Sequence, residues 1–184
     1  GSVLCTHFGL SGPCALDISR SYLDARFDDR GATLELGAVF DRSPETLDAE
    51  LNTLGKRTPA AYLKTKGIPE RLTTALCAHA GVDAAAAGAG LTRDARRALV
   101  RALTALPIPV SDARGWNYAE VTAGGVPLSA IAIKTMESRD RAGLHLCGEV
   151  CDVDGRIGGF NFQWAWASGY VAGISAAATL RESV

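Results

Sequence analysis

The chain has 184 residues, 47% hydrophobic and 21% charged, with a formal net charge of −1. That length suffices for one domain, or one domain with a small companion, and it buries on the order of two thirds of the unfolded surface. The composition excludes a disordered chain, and the near-zero net charge gives no bulk attraction to nucleic acid or to acidic membranes.

Val3 to Thr6 is a predicted strand, followed by "HFGLSGP". Ser11 is expected to cap a helix that has Pro13 in its first turn, where a fixed φ and a missing N–H suit proline, and that runs to about Tyr22. Ala32 to Phe40 ("ATLELGAVF") alternates as a strand does and is bounded by turn residues at Asp28–Gly31 and Asp41–Pro44. Residues 43–106 carry helical signals. Ser43 is a predicted N-cap with Pro44 at the first helical position, and Glu45 suits the positive end of the helix dipole. Shorter helices are expected around Pro59–Lys64 and Pro69–His79, where His79 suits the carboxyl end of its helix. "AAAAGAG" (Ala84–Gly90) reads as a flexible linker. "TRDARRALVRALTAL" (Thr92–Leu106) is amphipathic, with Leu99, Leu103 and Leu106 turned inward. Its Arg93, Arg97 and Arg101, with Arg96 beside them, form a basic stripe without interleaved aromatic residues, the pattern of a solvated face.

Pro107 and Pro109 close the helical block. "YAEVTAGGV" (Tyr118–Val126) reads as a strand ending in a Gly124-Gly125 turn, and "GLHLCGEV" (Gly143–Val150) as a second strand, apolar enough to be central. A helix is predicted from about Phe160 to Arg181, apolar all round and therefore expected to be centrally buried.

The five cysteines are Cys5, Cys14, Cys77, Cys147 and Cys151, with no C-x-x-C pair among them. An odd number and no secretory signal favour a reduced, cytoplasmic setting. His145, Cys147 and Cys151 invite a metal reading, but the spacing fits no zinc finger, and both cysteines are expected to be buried apolar residues. Val3-Leu4-Cys5 reads as a strand already under way, so the chain is expected to be a fragment, with a "GS" start that is native or added in cloning.

The stretch "DVDGRIGGFNFQWAWASGYVAG" (Asp152–Gly173) bears three readings. A calcium loop fails on position: Ile157 stands where glycine is needed, and Gln163 where a bidentate carboxylate is needed. A membrane span has the length, since Ile157 to Leu180 carries no formal charge, but Asn161, Gln163, Ser168, Ser175 and Thr179 argue against it. The Gly169/Gly173 pair permits close backbone approach without implying a membrane. Nucleotide or flavin binding is the third. A strand ends at Gly148-Glu149, a glycine-rich loop follows, and a helix start near Phe160 presents free N–H groups and a positive dipole end. No G-x-G-x-x-G occurs in the chain, and "GAGLTR" at Gly88 lacks the last glycine.

"THFGLSGP" (Thr6–Pro13), "AEVTAGGVPLS" (Ala119–Ser129), "KTMESR" (Lys134–Arg139) and "GLHLCGEVCDVDGRIGGFNFQWAWASGYVAG" (Gly143–Gly173) resemble the carboxyl-terminal half of a bacterial flavoprotein family. Its members are described as NAD(P)/FAD-dependent oxidoreductases or aminoacetone-oxidase-like FAD-binding enzymes. The resemblance is dense over Val3–Asp17 and Gly115–Gly173 and loose in the helical middle. It implies an α/β fold with an α+β insertion, in which a two-part, Rossmann-like FAD domain is interrupted by an inserted domain with a β part and a helical part. Residues 1–114 would be the inserted, substrate-side domain, helical over about 43–106, and residues 115–184 the carboxyl-terminal segment of the FAD domain. Gly148 and Glu149 would face the ribityl or pyrophosphate region. Gly158, Gly159, Phe160 and Asn161 would lie against the flavin ring through backbone N–H groups, and Thr122, Gly124 and Gly125 would shape the turn beside the cofactor. The chain departs from its relatives in His145-Leu146-Cys147 before "GE" and in "FNF" where "YNL" is common. The dinucleotide fingerprint belongs to an amino-terminal half that this chain lacks, so alone it is expected to hold FAD weakly and to be inactive.

The remaining singled-out groups read as structural: His7 as a hydrogen-bonded histidine, Ser11 as a cap rather than the nucleophile of a G-x-S-x-G elbow, and Trp116, Trp164 and Trp166 as packing residues. The expected function is the carboxyl-terminal portion of an FAD-dependent oxidoreductase. NAD(P)H is a candidate reductant, the substrate is a small molecule, and the missing amino-terminal half is the expected protein partner. No nucleic-acid or membrane partner is expected. The alternative is a stand-alone, non-enzymatic ligand- or protein-binding module.

Overall fold

The computed structural model describes residues 1–182. Among the described residues, six strands and six α-helices follow one another: β1 (Leu4–Cys5), β2 (Leu10–Ser11), α1 (Pro13–Asp28), β3 (Leu34–Leu36), α2 (Pro44–Asn52), α3 (Pro59–Thr65), α4 (Glu70–His79), α5 (Arg93–Thr104), β4 (Leu106–Ile108), β5 (Ile131–Ala132), β6 (Glu137–Ser138) and α6 (Phe160–Glu182). The strands pair antiparallel, β1 with β2, β3 with β4 and β5 with β6. By contacts the chain divides into two compact units, Gly31–Ser111 and a discontinuous one made of Gly1–Arg30 and the residues from Asp112 onward. These boundaries differ from a 1–114/115–184 division: residues 1–30 group with the carboxyl-terminal segment.

The helices of the 31–111 unit form where the sequence suggests, while the strand expected over Ala32–Phe40 shortens to Leu34–Leu36. Ser43, Thr58 and Thr92 each accept a backbone N–H three residues on, capping α2, α3 and α5, and Pro44 and Pro59 occupy first-turn positions. Leu47 and Leu51 of α2, Leu63 of α3, Leu76 and Cys77 of α4 and Leu99 and Leu103 of α5 are buried in one core. Each such leucine contributes about 1.5–3 kcal/mol relative to exposure. Arg96 leaves the basic stripe to clamp α2, with Nε 2.7 Å from Asp48 Oδ1 and Nη1 2.8 Å from Asn52 Oδ1. Arg93, Arg97 and Arg101 stay exposed. Leu106 leaves the helix to pair with Leu36 in the β3–β4 ribbon.

The Ala84–Gly90 stretch is not a flexible linker. Gly88 is buried, its N–H donates to Arg57 O at 3.0 Å, and a Cβ there would lie 2.4 Å from Leu54 Cβ. Glycine is required because the backbone packs directly onto α2's end and its following turn.

The discontinuous unit departs further from expectation. Ser11 does not cap α1: it lies in β2 opposite Leu4, and Gly12, with φ 89°, precedes the helix without a side-chain cap. The helix then runs past Tyr22 to Asp28. Tyr118–Val126 and Gly143–Val150 are not strands. One 3₁₀ turn, Trp116–Tyr118, ends where the first run begins, another, Gly148–Val150, closes the second, and each run makes one isolated bridge, Val126 with Cys151 and His145 with Glu137. An apolar run becomes a central strand only when neighbours supply its ladder on both sides, and none does so among the described residues. The core here is small: Ile131, Met136, Cys151 and Ala172. The long helix α6 is accordingly not centrally buried. One side, with Ser168 and Ala172, is buried, while Trp166 and Tyr170 are 69% and 71% exposed.

Candidate functional site

Helix α6 opens directly out of the glycine loop. Gly158 and Gly159 take φ of 125° and 89°, values that side-chain-bearing residues rarely adopt, and so the chain turns sharply into Phe160. Gln163 N–H bonds to Gly159 O at 2.9 Å, the first turn of the helix ladder. The N–H groups of Phe160, Asn161 and Phe162 therefore have no acceptor within the helix. A Cβ built on Gly159 would meet nothing within 4 Å, so the backbone is open to a close approach there.

Three side chains fix this loop. Asn161 turns back onto Gly155, its Oδ1 accepting Gly155 N–H at 2.6 Å and its Nδ2 donating to Gly155 O at 3.0 Å. Asp17 of α1 accepts Ile157 N–H through Oδ1 at 2.8 Å, and Arg20, one turn on, ion-pairs with Asp154. Sequence reading expected Asn161 to meet the flavin largely through its backbone N–H; its side chain holds the loop. It missed Asp17 and Arg20, which lie 140 and 134 residues from their partners. No local pattern announces such a contact.

The other expected residues meet around residue 150. Glu149 Oε1 accepts Thr122 N–H at 2.8 Å, which joins two segments that the sequence separates. Gly125 is a packing glycine: its Cβ would sit 2.6 Å from Val150 O, where Val126 N–H donates to Val150 O and Asp152 N–H to Val126 O, both at 2.8 Å. Gly124, with φ 91°, lies in open space. Gly148 is docked on α6, its N–H donating to Ser168 Oγ at 2.9 Å and its carbonyl accepting Trp164 Nε1–H at 3.0 Å. The arrangement thus brings together Thr122 with Glu149 and Gly125 with the residues around Val150, and seats Gly148 on α6. Gly158, Gly159 and Phe160 form the opening of that helix.

The cysteine expectation holds for one residue of two. Cys151 is buried and its thiol is pushed up by that burial, whereas Cys147 is exposed. A residue on an unpaired run has no second layer to cover it. No group of three or more metal-ligating side chains occurs among the described residues. His145 Nδ1 lies 3.0 Å from Thr135 O, in the β5–β6 connection where Met136 takes φ 57°. None of the described helices is long and apolar enough to cross a membrane. Trp164 packs as expected, while Trp116 and Trp166 are exposed.

The open helix start, its glycine approach and the clamps behind it fit the wall of a site for an electron-rich or anionic group, within a mixed α/β protein. Residues 51–175 match the HI0933-like protein Rossmann domain, and the chain belongs to that family, which is one of flavoprotein oxidoreductases. The chain is 33% identical to a ribosomal RNA dihydrouridine synthase of Haemophilus influenzae over 94% of its own length and 41% of the relative's. It is 34% identical to a ribosomal RNA dihydrouridine synthase of Escherichia coli over 92% of its length and 40% of the relative's. A 3-dehydro-bile acid delta(4,6)-reductase of Clostridium scindens is 30% identical over 96% of the chain and 44% of that protein. The chain therefore spans about two fifths of the length of the curated relatives it matches.

Proposed function

We propose that this chain is the carboxyl-terminal portion of an FAD-dependent oxidoreductase and supplies one wall of its flavin site. The observation that carries the reading is the Gly158-Gly159 turn: it opens α6 with its first N–H groups unclaimed by the helix and is held from behind by Asn161, Asp17 and Arg20. Those N–H groups, at the positive end of the α6 dipole, suit the carbonyl edge of a flavin ring on which negative charge develops. Glu149, with one oxygen taken by Thr122, keeps its second for a ribityl or ribose hydroxyl. Gly124 lies in open space beside the same segment.

The residues present fit the group in part. They offer a ring-side wall, but no glycine fingerprint for the pyrophosphate, which we assign to a part of the complete protein outside these residues. When bound, FAD supplies the two-electron chemistry; this chain orients it and shields one face. In this reading the helical 31–111 unit, narrower than the expected residues 1–114, is assigned to the inserted, substrate-side domain of the two-part scheme.

The activities of the relatives suggest a substrate class. Dihydrouridine is uridine with one ring double bond saturated, and a delta-reductase likewise saturates a double bond of its 3-dehydro substrate. We assign the complete protein to reduction of a carbon–carbon double bond beside a carbonyl, with a reduced nicotinamide as the electron source. The test is to co-express the chain with its amino-terminal half, purify the complex and record its visible spectrum. Yellow flavin absorbance that is lost on Gly159→Val is expected. A stable, colourless complex that takes up no added FAD refutes the reading.

A further inference from the structure

In the discontinuous unit, two distant turns bring a cation and exposed rings together at the surface. Thr6 closes the turn between β1 and β2, its N–H and its hydroxyl both donating to Gly9 O at 2.8 Å, and Phe8 N–H donates to Thr6 Oγ1 at 3.4 Å. This turn presents Phe8, with the His7 ring edge-on against it at 5.2 Å. Across the unit's other segment, Gly115 takes φ 76°, a value that suits glycine, and opens the 3₁₀ turn Trp116–Tyr118. Tyr118 N–H bonds to Gly115 O at 3.1 Å, which folds Tyr118 back onto Arg114. The guanidinium carbon of Arg114 lies 3.4 Å from the Tyr118 ring centroid and 4.3 Å from that of Phe8.

Stacking engages the flat face of a guanidinium and leaves its N–H donors, which point outward in its plane, free at the edge. Arg114 makes no hydrogen bond or ion pair among the described residues. Asp112, the acid nearest in sequence, turns its Oδ1 to Ala113 N–H at 2.7 Å instead. An arginine oriented by rings rather than by a carboxylate keeps its charge for an incoming anion, and its edge matches two oxygens of a phosphate or carboxylate. Phe8, Tyr118 and Trp116 are all exposed, Trp116 at 80%, so ring surface is open beside that charge. The α5 stripe of Arg93, Arg97 and Arg101 has no such rings among its residues.

We infer that Phe8, Arg114, Trp116 and Tyr118 form a binding site for a nucleotide unit, with its phosphate on the Arg114 edge and its base on the open rings. A simple anion would use Arg114 and leave the rings bare, and an uncharged ring would leave the cation unpaired. A flat group that carries an anion satisfies both. Spacing favours a nucleotide over an aryl carboxylate. The most open ring, Trp116, is not stacked on Arg114 but stands beyond Gly115, and a nucleotide has a sugar between base and phosphate to span such a gap. The net charge of −1 provides no bulk attraction, so recognition here is local. A residue of an unpaired strand and a free nucleotide offer the same chemistry. The site stands apart from the flavin reading and does not rest on it.

Photo-crosslinking mapped by mass spectrometry tests this in the complete protein, with 4-thiouridine 5′-monophosphate as the probe. Crosslinks should fall on the Thr6–Gly9 and Gly115–Tyr118 turns. Arg114→Gln should raise the half-saturating probe concentration about tenfold through loss of a charge-assisted contact. Arg114→Lys, which keeps the charge without the planar fork, should recover only part of that. Trp116→Ala should raise it about tenfold for crosslinks to the Thr6–Gly9 turn. Arg101→Gln removes the same charge from α5 and should change nothing. Crosslinks confined to other segments, or indifferent to Arg114→Gln, overturn the inference. So does equal labelling by 4-thiouridine without its phosphate, or competition by inorganic phosphate as strong as by uridine monophosphate. A decauridylate carrying one 4-thiouridine identifies the source. Labelling of the same turns at lower concentration than the monophosphate assigns a strand, and labelling no tighter assigns a free nucleotide; both support the site.

Discussion

Removing the Asn161 side chain separates its role in holding the loop from any direct role at a cofactor. Asn161 makes two hydrogen bonds to one residue, the N–H and the carbonyl of Gly155, at 2.6 and 3.0 Å. A net hydrogen bond contributes about 1 kcal/mol, so Asn161→Ala should destabilise the closed loop by about 2 kcal/mol. If the Gly155 amide exchanges by local opening, its hydrogen exchange should speed up about 30-fold, with more distant α6 amides unaffected. Asn161→Asp discriminates further. A carboxylate still accepts Gly155 N–H but cannot donate to its carbonyl, and its charge is favourable at a helix start. Its exchange should rise only a few-fold, well below the alanine variant. NMR-detected exchange of the Gly155 amide reads both variants. Unchanged exchange in Asn161→Ala, or equal rates in the two variants, would refute a clamp that works through both amide atoms.

Two further outcomes follow from the packing. Glu50 accepts Tyr62 Oη–H at 2.5 Å and ion-pairs with Lys66 Nζ at 2.7 Å; these contacts hold its carboxyl at about 2, below the ordinary 4.5. Because the folded value is depressed, the stabilisation is complete above pH 4.5 and is lost as pH falls through about 2. Far-UV circular dichroism of thermal unfolding should show the helical unit weakening over that window, and Glu50→Gln should flatten the dependence; a Gln variant with an unchanged acid limb contradicts the assignment. At the Gly124-Gly125 turn, Gly125→Ala drives a Cβ to 2.6 Å from Val150 O and should abolish cooperative unfolding of the discontinuous unit. Gly124→Ala, facing open space, should lose only about 1 kcal/mol for its backbone conformation. All three tryptophans lie in that unit, so urea unfolding followed by tryptophan fluorescence measures both, and equal losses would show that close packing is not what reserves position 125 for glycine.

Much of the helical unit was legible in the sequence because its determinants are local. Ser43, Thr58 and Thr92 sit in cap positions three residues before the N–H they accept, and Leu99 and Leu103 follow the helical period that turns them inward. The start of α6 at Phe160 was legible for the same reason, since glycines precede an uninterrupted apolar run. The loop before α6 was legible only in outline. Its Gly158-Gly159 opening stands in the sequence, but the residues that hold it do not announce themselves.

Tertiary structure decided the rest. It turned Asn161 back onto Gly155, brought Asp17 and Arg20 of α1 onto the loop, and tied Glu149 to Thr122. It also left the Tyr118–Val126 and Gly143–Val150 runs without strand ladders and one side of α6 exposed. An apolar pattern states that a segment seeks burial, but burial and strand pairing need a second surface. Local sequence was enough for the helices of the 31–111 unit, the Ser43 cap and the glycine turn, because those depend on residues within one helical turn of one another, whereas the Ser11 cap expected for α1 gave way to pairing in β2. Asp17 and Arg20 clamp that turn from more than a hundred residues away, and Asn161 reaches back six residues to Gly155, so only the folded chain brings the clamps together.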